Sequence, residues 1–137
     1  MKCPCNSLEN YKDCCEISHL NILSIKTAEA LMRSRYSAFA LADIDYLQRS
    51  HHSSTRPSKT EKKDTLQWTK SVKWLKLEII NTTKGKLNDT EGTVEFKAYF
   101  IENNKINTIH ENSNFSKEKN HWVYLDGIHS LKKYYTL

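Results

Sequence analysis

The four cysteines of this chain are clustered near its N-terminus, and this clustering restricts the possible folds more than any other feature. All of them fall within the first 15 of 137 residues, at Cys3, Cys5, Cys14 and Cys15. Cysteines that serve only as small core residues would be scattered along the sequence. A segment this short cannot bury a core of its own, so it needs cross-links, either two disulfides or one metal ion.

The spacing of the cysteines and the expected compartment favour a metal site over disulfides. The first residues, Met1-Lys2-Cys3-Pro4, lack the apolar segment of a secretory signal. A cytoplasmic location is therefore expected, and disulfides are rare there. A bridge between the adjacent Cys14 and Cys15 would also be strained. Four thiolates at the spacing C-x-C-x8-C-C suit tetrahedral zinc, and we predict one structural zinc ion bound by all four. Free or redox-active thiols are the alternative interpretation.

The remaining composition is typical of a folded domain that does not span a membrane. Three Trp, seven Tyr and four Phe provide enough bulk for a core. No apolar run approaches the roughly 20 residues of a membrane-spanning helix. The formal net charge is only +5, and the most basic stretch, Lys59 to Asp64, is interrupted by acids. Any binding to nucleic acid is therefore expected to be weak and non-specific.

The pattern of caps and apolar residues predicts an α+β fold, with helices first and antiparallel strands after them. Three helices are predicted, with N-caps at Thr27, Asp43 and Ser58, over residues 27–41, 44–49 and 59–71. Alternating apolar residues predict four strands within residues 74–82, 94–101, 106–115 and 122–125. Turns are expected at 103–104, at 116–120 and at Asp126-Gly127.

Several motifs resemble one protein family over nearly the whole chain. Cys3-Pro4-Cys5-Asn6-Ser7 and Tyr11-Lys12-Asp13-Cys14-Cys15 resemble the SEC-C zinc knuckle. The segment 27–39 and the run Trp122-Val123-Tyr124-Leu125-Asp126-Gly127 resemble the YchJ family. The resemblance implies a knuckle at residues 1–22 and a cone-shaped domain, similar to nuclear transport factor two, at 23–137. In such a domain about three helices pack on a curved antiparallel sheet of at least four strands. The resemblance implies no defined activity.

The chain departs from this family pattern at positions that bear on the site. Asn6 and Leu8 stand where the knuckle usually has glycine, and His51 stands where many members have Trp. The turn after Cys5 is expected to require a positive φ, which asparagine tolerates better than other non-glycine residues.

Arg35 is the most informative charged residue outside the cysteine cluster. It lies in the middle of an apolar helix face that includes Met32 and Phe39. Glu111 shares a strand face with the apolar Phe115 and is therefore expected to point inward. Because a buried charge needs a partner, we predict that Arg35 and Glu111 form an ion pair inside the cone or both contact one shared ligand. The pair would either fix the helix on the sheet or line a ligand pocket.

Four further residues are candidates for the same pocket, and each has a plainer interpretation. Tyr36 could offer a hydroxyl or be a core aromatic residue. His52 could act with Arg56 at the pocket mouth or be a surface histidine. Asp126 could reach the cone by alternation from Trp122, or simply belong to a turn before glycine.

Three functions remain open at this point. The first is a non-enzymatic binding or adaptor module, whose knuckle docks a protein or nucleic-acid partner and whose cone holds a small ligand. The second is a small enzyme that uses Glu111 or Asp126 as acid or base. The third is a thiol redox sensor that releases zinc. The chain is expected to be a monomer or a homodimer and to make no contact with a membrane.

Overall fold

The computed structural model describes residues 1–129. The segment before the first long helix, which includes the predicted knuckle, contains a 3-10 turn at Tyr11–Asp13, helix α1 at Cys15–Leu20 and a second 3-10 turn at Ile22–Ser24. Backbone hydrogen bonds join Cys3 N to Glu9 O at 2.8 Å and Tyr11 N to Met1 O at 2.9 Å. These bonds fold the two cysteine-bearing segments against each other.

Three capped helices follow the knuckle, with the bounds that their caps predict. Helix α2 spans Ala28–Ala40, α3 spans Ile44–Arg49 and α4 spans Lys59–Ser71. The side chains of Thr27, Asp43 and Ser58 each accept a hydrogen bond from the first helical turn. Ser58 and Glu61 complete the reciprocal capping box at the start of α4. The three predicted helices are confirmed.

The second half of the described chain forms one antiparallel sheet in the order β1-β2-β3-β4. Its strands are Lys73–Lys84, Glu91–Glu102, Lys105–Glu118 and His121–His129. Asn103 and Asn104, with φ of 54° and 61°, form the tight turn between β2 and β3. The predicted α+β class is therefore confirmed. Residues 130–137 of the predicted second domain lie outside the described residues.

One predicted turn is shorter than expected and another is wrong, because β3 and β4 extend into these segments. β3 continues to Glu118, so the turn predicted at 116–120 shrinks to Lys119 and Asn120. Asp126 and Gly127 lie inside β4, where they pair with Asn114 and Ser113. Leu125 has no partner in this register and forms a bulge. Strand β3 pairs with β2 over twelve residues and with β4 on its other side. This pairing outweighs the local turn preference of Asp-Gly.

The core lies between α2 and the concave face of the curved sheet. Strand β2 contributes alternating buried residues, namely Val94, Phe96, Ala98 and Phe100. Leu31, Met32 and Phe39 of α2 face them. The cysteines Cys3, Cys5 and Cys15 belong to the same continuous cluster of buried residues. The knuckle is therefore packed into the core of the domain and does not sit beside it as a separate unit.

Candidate functional site

The four cysteine sulfurs form a cluster of the size that a tetrahedral metal ion requires. All four Sγ atoms lie within 4.8 Å of one another. Cys5 Sγ lies 3.6 Å from Cys14 Sγ, which lies 4.0 Å from Cys15 Sγ. Zn–S bonds of about 2.3 Å in a regular tetrahedron place the sulfurs about 3.8 Å apart. The four thiolates could therefore hold one zinc ion with little movement of the chain.

Two residues with positive φ give the first cysteine loop its shape. Asn6 has φ of 64° and Leu8 has φ of 73°, at the positions where the resemblance places glycine. Asn6 does more than tolerate the turn, because its Oδ1 accepts a hydrogen bond of 2.8 Å from Leu77 N on β1. Between them, Ser7 Oγ lies 3.1 Å from Cys14 Sγ. The asparagine thus keeps the turn and also ties the knuckle to the edge of the sheet.

Helix α2 holds the other side of the cysteine cluster. Cys3 Sγ lies 3.5 Å from Ser37 Oγ, and Arg33 Nη1 donates a 2.8 Å hydrogen bond to the Cys5 carbonyl. Arg33 is in turn oriented by Glu29, one helical turn earlier, at 3.0 Å. A positive charge on this side of the cluster complements the negative charge that thiolates would place there.

His19 is a second anchor between the knuckle and the domain. Its Nε2 lies 2.8 Å from the Ser34 carbonyl oxygen, and its Nδ1 lies 2.7 Å from the Tyr11 hydroxyl. Its ring packs on Tyr46 with a centroid distance of 4.5 Å. Burial lowers the pKa of His19, so the ring is neutral. Its two hydrogen bonds join the knuckle to α2.

The thiols share protons unevenly when no ion is bound. The hydrogen bond from Cys15 lowers the pKa of Cys5 to about 4. Burial raises the pKa of Cys14 to about 11, and the hydrogen bond to Cys5 raises that of Cys15. The thiolate of Cys5 thus lies beside the protonated thiols of Cys14 and Cys15. A divalent ion that binds all four sulfurs would displace those protons and compensate the charge.

The predicted direct ion pair between Arg35 and Glu111 is wrong, although both side chains are buried. Arg35 is 2% exposed and Glu111 is 1% exposed. Tyr124 lies between them. The Arg35 guanidinium carbon is 4.8 Å from the centroid of the Tyr124 ring, and the Tyr124 hydroxyl donates a 3.2 Å hydrogen bond to Glu111 Oε2. Ser113 Oγ also donates to that oxygen. The aromatic ring and its hydroxyl therefore link the two charges.

Two other pocket candidates lie away from Arg35. Tyr36 is buried in the core, where its ring packs edge-on to Trp74 at 5.5 Å. Asp126 is exposed on β4 and accepts a hydrogen bond of 2.7 Å from Asn114 Nδ2. The expectation that Asp126 reaches the cone is wrong, because the bulge at Leu125 changes the alternation of side chains after Tyr124.

His52 and Arg56 form a surface cluster with Glu118. His52 Nε2 lies 3.7 Å and Arg56 Nη2 3.9 Å from the Glu118 carboxylate. Ser53 also donates to this carboxylate, and Arg56 donates two hydrogen bonds to the His51 carbonyl oxygen. The hydrogen bond from Ser53 lowers the pKa of Glu118. These contacts fasten the loop between α3 and α4 to the end of β3.

Sequence reasoning missed three residues that organise the site. His19 lies four residues after Cys15 and thus on the same face of α1, which is a usable signal. His51 is 5% exposed and packs on Tyr124, and the tryptophan of related sequences at this position was a signal of burial. Tyr124 carried no signal beyond its place in an apolar strand.

The fold and the cysteine cluster define a class of protein, a SEC-C knuckle joined to an NTF2-like α+β domain. The model of the SEC-C motif matches residues 2–17. The model described as the middle NTF2-like domain of YchJ matches residues 27–127.

The chain belongs to the YchJ-like family of UPF0225 proteins. The UPF0225 protein of Vibrio parahaemolyticus is 40% identical over 125 residues, which cover 91% of this chain and 73% of that protein. The UPF0225 protein of Streptomyces coelicolor is also 40% identical, and the alignment covers 91% of this chain and 93% of that protein. That of Bordetella pertussis is 42% identical over 127 residues, covering 91% and 90%. The family resemblance read from the sequence is thereby confirmed.

Solved structures of SEC-C proteins share the fold. The solution structure of a SEC-C motif protein from Rhodopseudomonas palustris gives a TM-score of 0.79 at 30% identity, covering 93% of this chain and 98% of that one. The crystal structure of one from Psychrobacter arcticus gives 0.76 at 31% identity, covering 96% and 84%. No helix in the described part of the chain is long and apolar enough to cross a membrane. The boundary between residues 22 and 23 stays a prediction.

Proposed function

We propose that this protein is a zinc-stabilised binding module, in which one structural zinc ion on Cys3, Cys5, Cys14 and Cys15 holds the knuckle as a docking surface for a partner protein. The observation that carries the proposal is the sulfur cluster, whose 3.6 and 4.0 Å separations bracket the tetrahedral value. Zinc bound to four protein ligands has no open position for a substrate, which is typical of a structural ion.

The exposed apolar residues of the knuckle support a docking role. Of the eleven large hydrophobic residues exposed in the described chain, five lie in its first 23 residues, namely Met1, Leu8, Ile17, Leu20 and Leu23. Ile17 and Leu20 are three residues apart on α1 and share one side of that helix. They are 50% and 79% exposed. Apolar residues concentrated on one exposed segment are typical of a protein-interaction surface.

The charge of the knuckle favours a protein partner over a nucleic acid. Lys2 and Lys12 are opposed by Glu9, Asp13 and Glu16 in the first 23 residues. A zinc ion with four thiolates is itself an anionic group and adds to this negative balance. Nucleic-acid binding depends on neutralising phosphates with clustered basic residues, and the knuckle lacks such a cluster.

Catalysis by an inward carboxylate has less support. Asp126 is exposed, and the Glu111 carboxylate is occupied by hydrogen bonds from Ser113 and Tyr124.

Site-specific photocrosslinking in cells tests the docking role. A benzophenone amino acid at Leu20 should give a discrete protein adduct, whereas the same probe at Ile106, which is 71% exposed on the sheet, should not. The Leu20 adduct should be lost in the Cys14→Ser variant, because the metal site no longer holds α1. The same adduct from both positions, none from Leu20, or one removed by nuclease would contradict the proposal.

A further inference from the structure

A cavity lies between α2, α3 and α4, away from the cysteine cluster. Its volume is about 250 Å³, and its apolar walls include Phe39, Leu47 and Pro57. Arg35 and His51 also line it, and Lys62 of α4 lies at its rim. None of the lining residues is a cysteine, so what this cavity binds is independent of the metal proposal.

Arg35 brings donors to this cavity that the protein leaves unused. Its Nη1 donates to the Leu47 carbonyl at 2.9 Å and to Ser50 Oγ at 2.8 Å, which uses both of its protons. Its Nε is fully buried and has no hydrogen-bond partner among residues 1–129. Those residues supply no acceptor to Nη2 either. Nη2 is therefore the unpaired donor that is not fully enclosed, and a guanidinium N–H is a strong donor to a carboxylate.

The positive charge of the buried Arg35 favours the binding of an anion beside its guanidinium. Burial lowers the pKa of Arg35 to about 10, so the guanidinium is protonated at neutral pH. Its contacts are the Tyr124 ring, a carbonyl and a hydroxyl, and no carboxylate of the described residues meets it directly. A buried cation with unused donors beside an open cavity is more favourable once an anion accepts them.

The remaining lining residues favour a ligand that carries a single negative charge on an otherwise apolar molecule. His51 is neutral, because burial and the nearby Arg35 and Arg56 lower its pKa to about 3, so it adds no second positive charge. Glu61 and Asp64 flank Lys62 on α4, and Lys62 pairs with Asp45 at 3.3 Å. Phosphates and other polyanions would meet these carboxylates at the rim, whereas a monoanion with a small apolar body would fit the walls.

We propose that the cavity between α2, α3 and α4 binds a small organic monocarboxylate, whose carboxylate accepts a hydrogen bond from Nη2 of Arg35. The apolar part of the ligand packs against Phe39 and Leu47, and His51 contributes a neutral polar wall.

NMR titration with benzoate tests this site, with benzamide and inorganic phosphate as matched probes. The Arg35 Nε–H resonance of the full chain should shift and saturate with benzoate at a Kd of about 1 mM or tighter. It should respond little to benzamide, which lacks the charge, or to phosphate, which lacks the apolar body. A shift that does not saturate, or an equal response to either control, would overturn the proposal.

Two variants separate binding from folding. Thr65→Phe fills the cavity from the half-buried side of α4 and leaves Arg35 in place, so the benzoate response should disappear in a folded protein. Arg35→Lys keeps the positive charge but replaces the planar guanidinium by an ammonium group. This change should weaken benzoate binding by about tenfold or more. Arg49→Lys, outside the cavity, is the matched control and should bind as the wild type does. Unchanged binding in Thr65→Phe would place benzoate elsewhere and overturn the proposal.

Discussion

His51 is a buried residue whose protonation should control the stability of the fold in acid. Its pKa in the folded protein is about 3, lowered by burial first and then by Arg35, Arg56 and His52. In the unfolded chain the pKa of histidine is about 6.5. Between these two values the unfolded state binds the proton and the folded state does not. The associated stability is therefore complete above pH 6.5 and decreases as the pH falls toward 3.

Replacing His51 by phenylalanine should remove this part of the acid sensitivity. We expect the free energy of unfolding of the wild type to fall by about 2 kcal/mol more than that of His51→Phe between pH 7 and pH 5. Urea denaturation at both pH values measures the difference. Leu87→Gln, which replaces an exposed residue without changing any charge, is the control and should keep the wild-type dependence. Parallel pH profiles for wild type and His51→Phe would show that His51 does not titrate as expected.

For Arg35, burial was predictable from the sequence but the contacts of the side chain were not. Its place on an apolar helix face was enough to predict its burial, and the strand face shared with Phe115 was enough to predict the burial of Glu111. The connecting residue, Tyr124, depends on how β4 lies over β3, and local sequence patterns do not contain that information. The unused donors of Arg35 were equally hidden, because they follow from which carbonyls α3 happens to present.

At the scale of the elements, Gly127 is required by a close approach and not by a turn. It lies in β4, and a Cβ built at this position would collide with the Glu111 carboxylate. Gly127→Ala should therefore force that buried carboxylate to move and lower the free energy of unfolding by about 1–3 kcal/mol. Thermal or urea denaturation measures it. Ile128→Ala, next to it and 77% exposed, is the control. Equal stability of both variants would show that the sheet can adjust.

Helix ends were predictable here and strand ends were not, for a physical reason. Each helix begins with a side chain that caps its own backbone, so the signal is local. The length of β3 and β4 is set by pairing with each other, and the pairing continues through Asp126-Gly127 despite the turn preference of that dipeptide. The strand cores were predictable from alternation because β2 has one buried and one less buried face.

At the scale of the whole molecule, the knuckle and the domain share one core. Cys3, Cys5 and Cys15 belong to the same buried cluster as the aromatic residues of the sheet. Asn6, Arg33 and His19 add hydrogen bonds across the boundary. The convergence of the four cysteine sulfurs within 4.8 Å was predictable from their spacing. The attachment of the knuckle was not, because it depends on residues that are 15 to 71 positions apart in the sequence.

The central claim is that the four cysteines bind one zinc ion, and its stoichiometry tests that claim most directly. Native mass spectrometry of the full chain, purified under reducing conditions without chelator, should show one zinc ion per chain. Cys14→Ser should lose it, whereas Ser24→Ala, a control in the second 3-10 turn, should keep it. The sulfur separations of 3.6 and 4.0 Å, within a cluster no wider than 4.8 Å, mean that this binding needs little movement of the chain. A folded wild-type protein without zinc, with all four thiols reduced, would contradict the account.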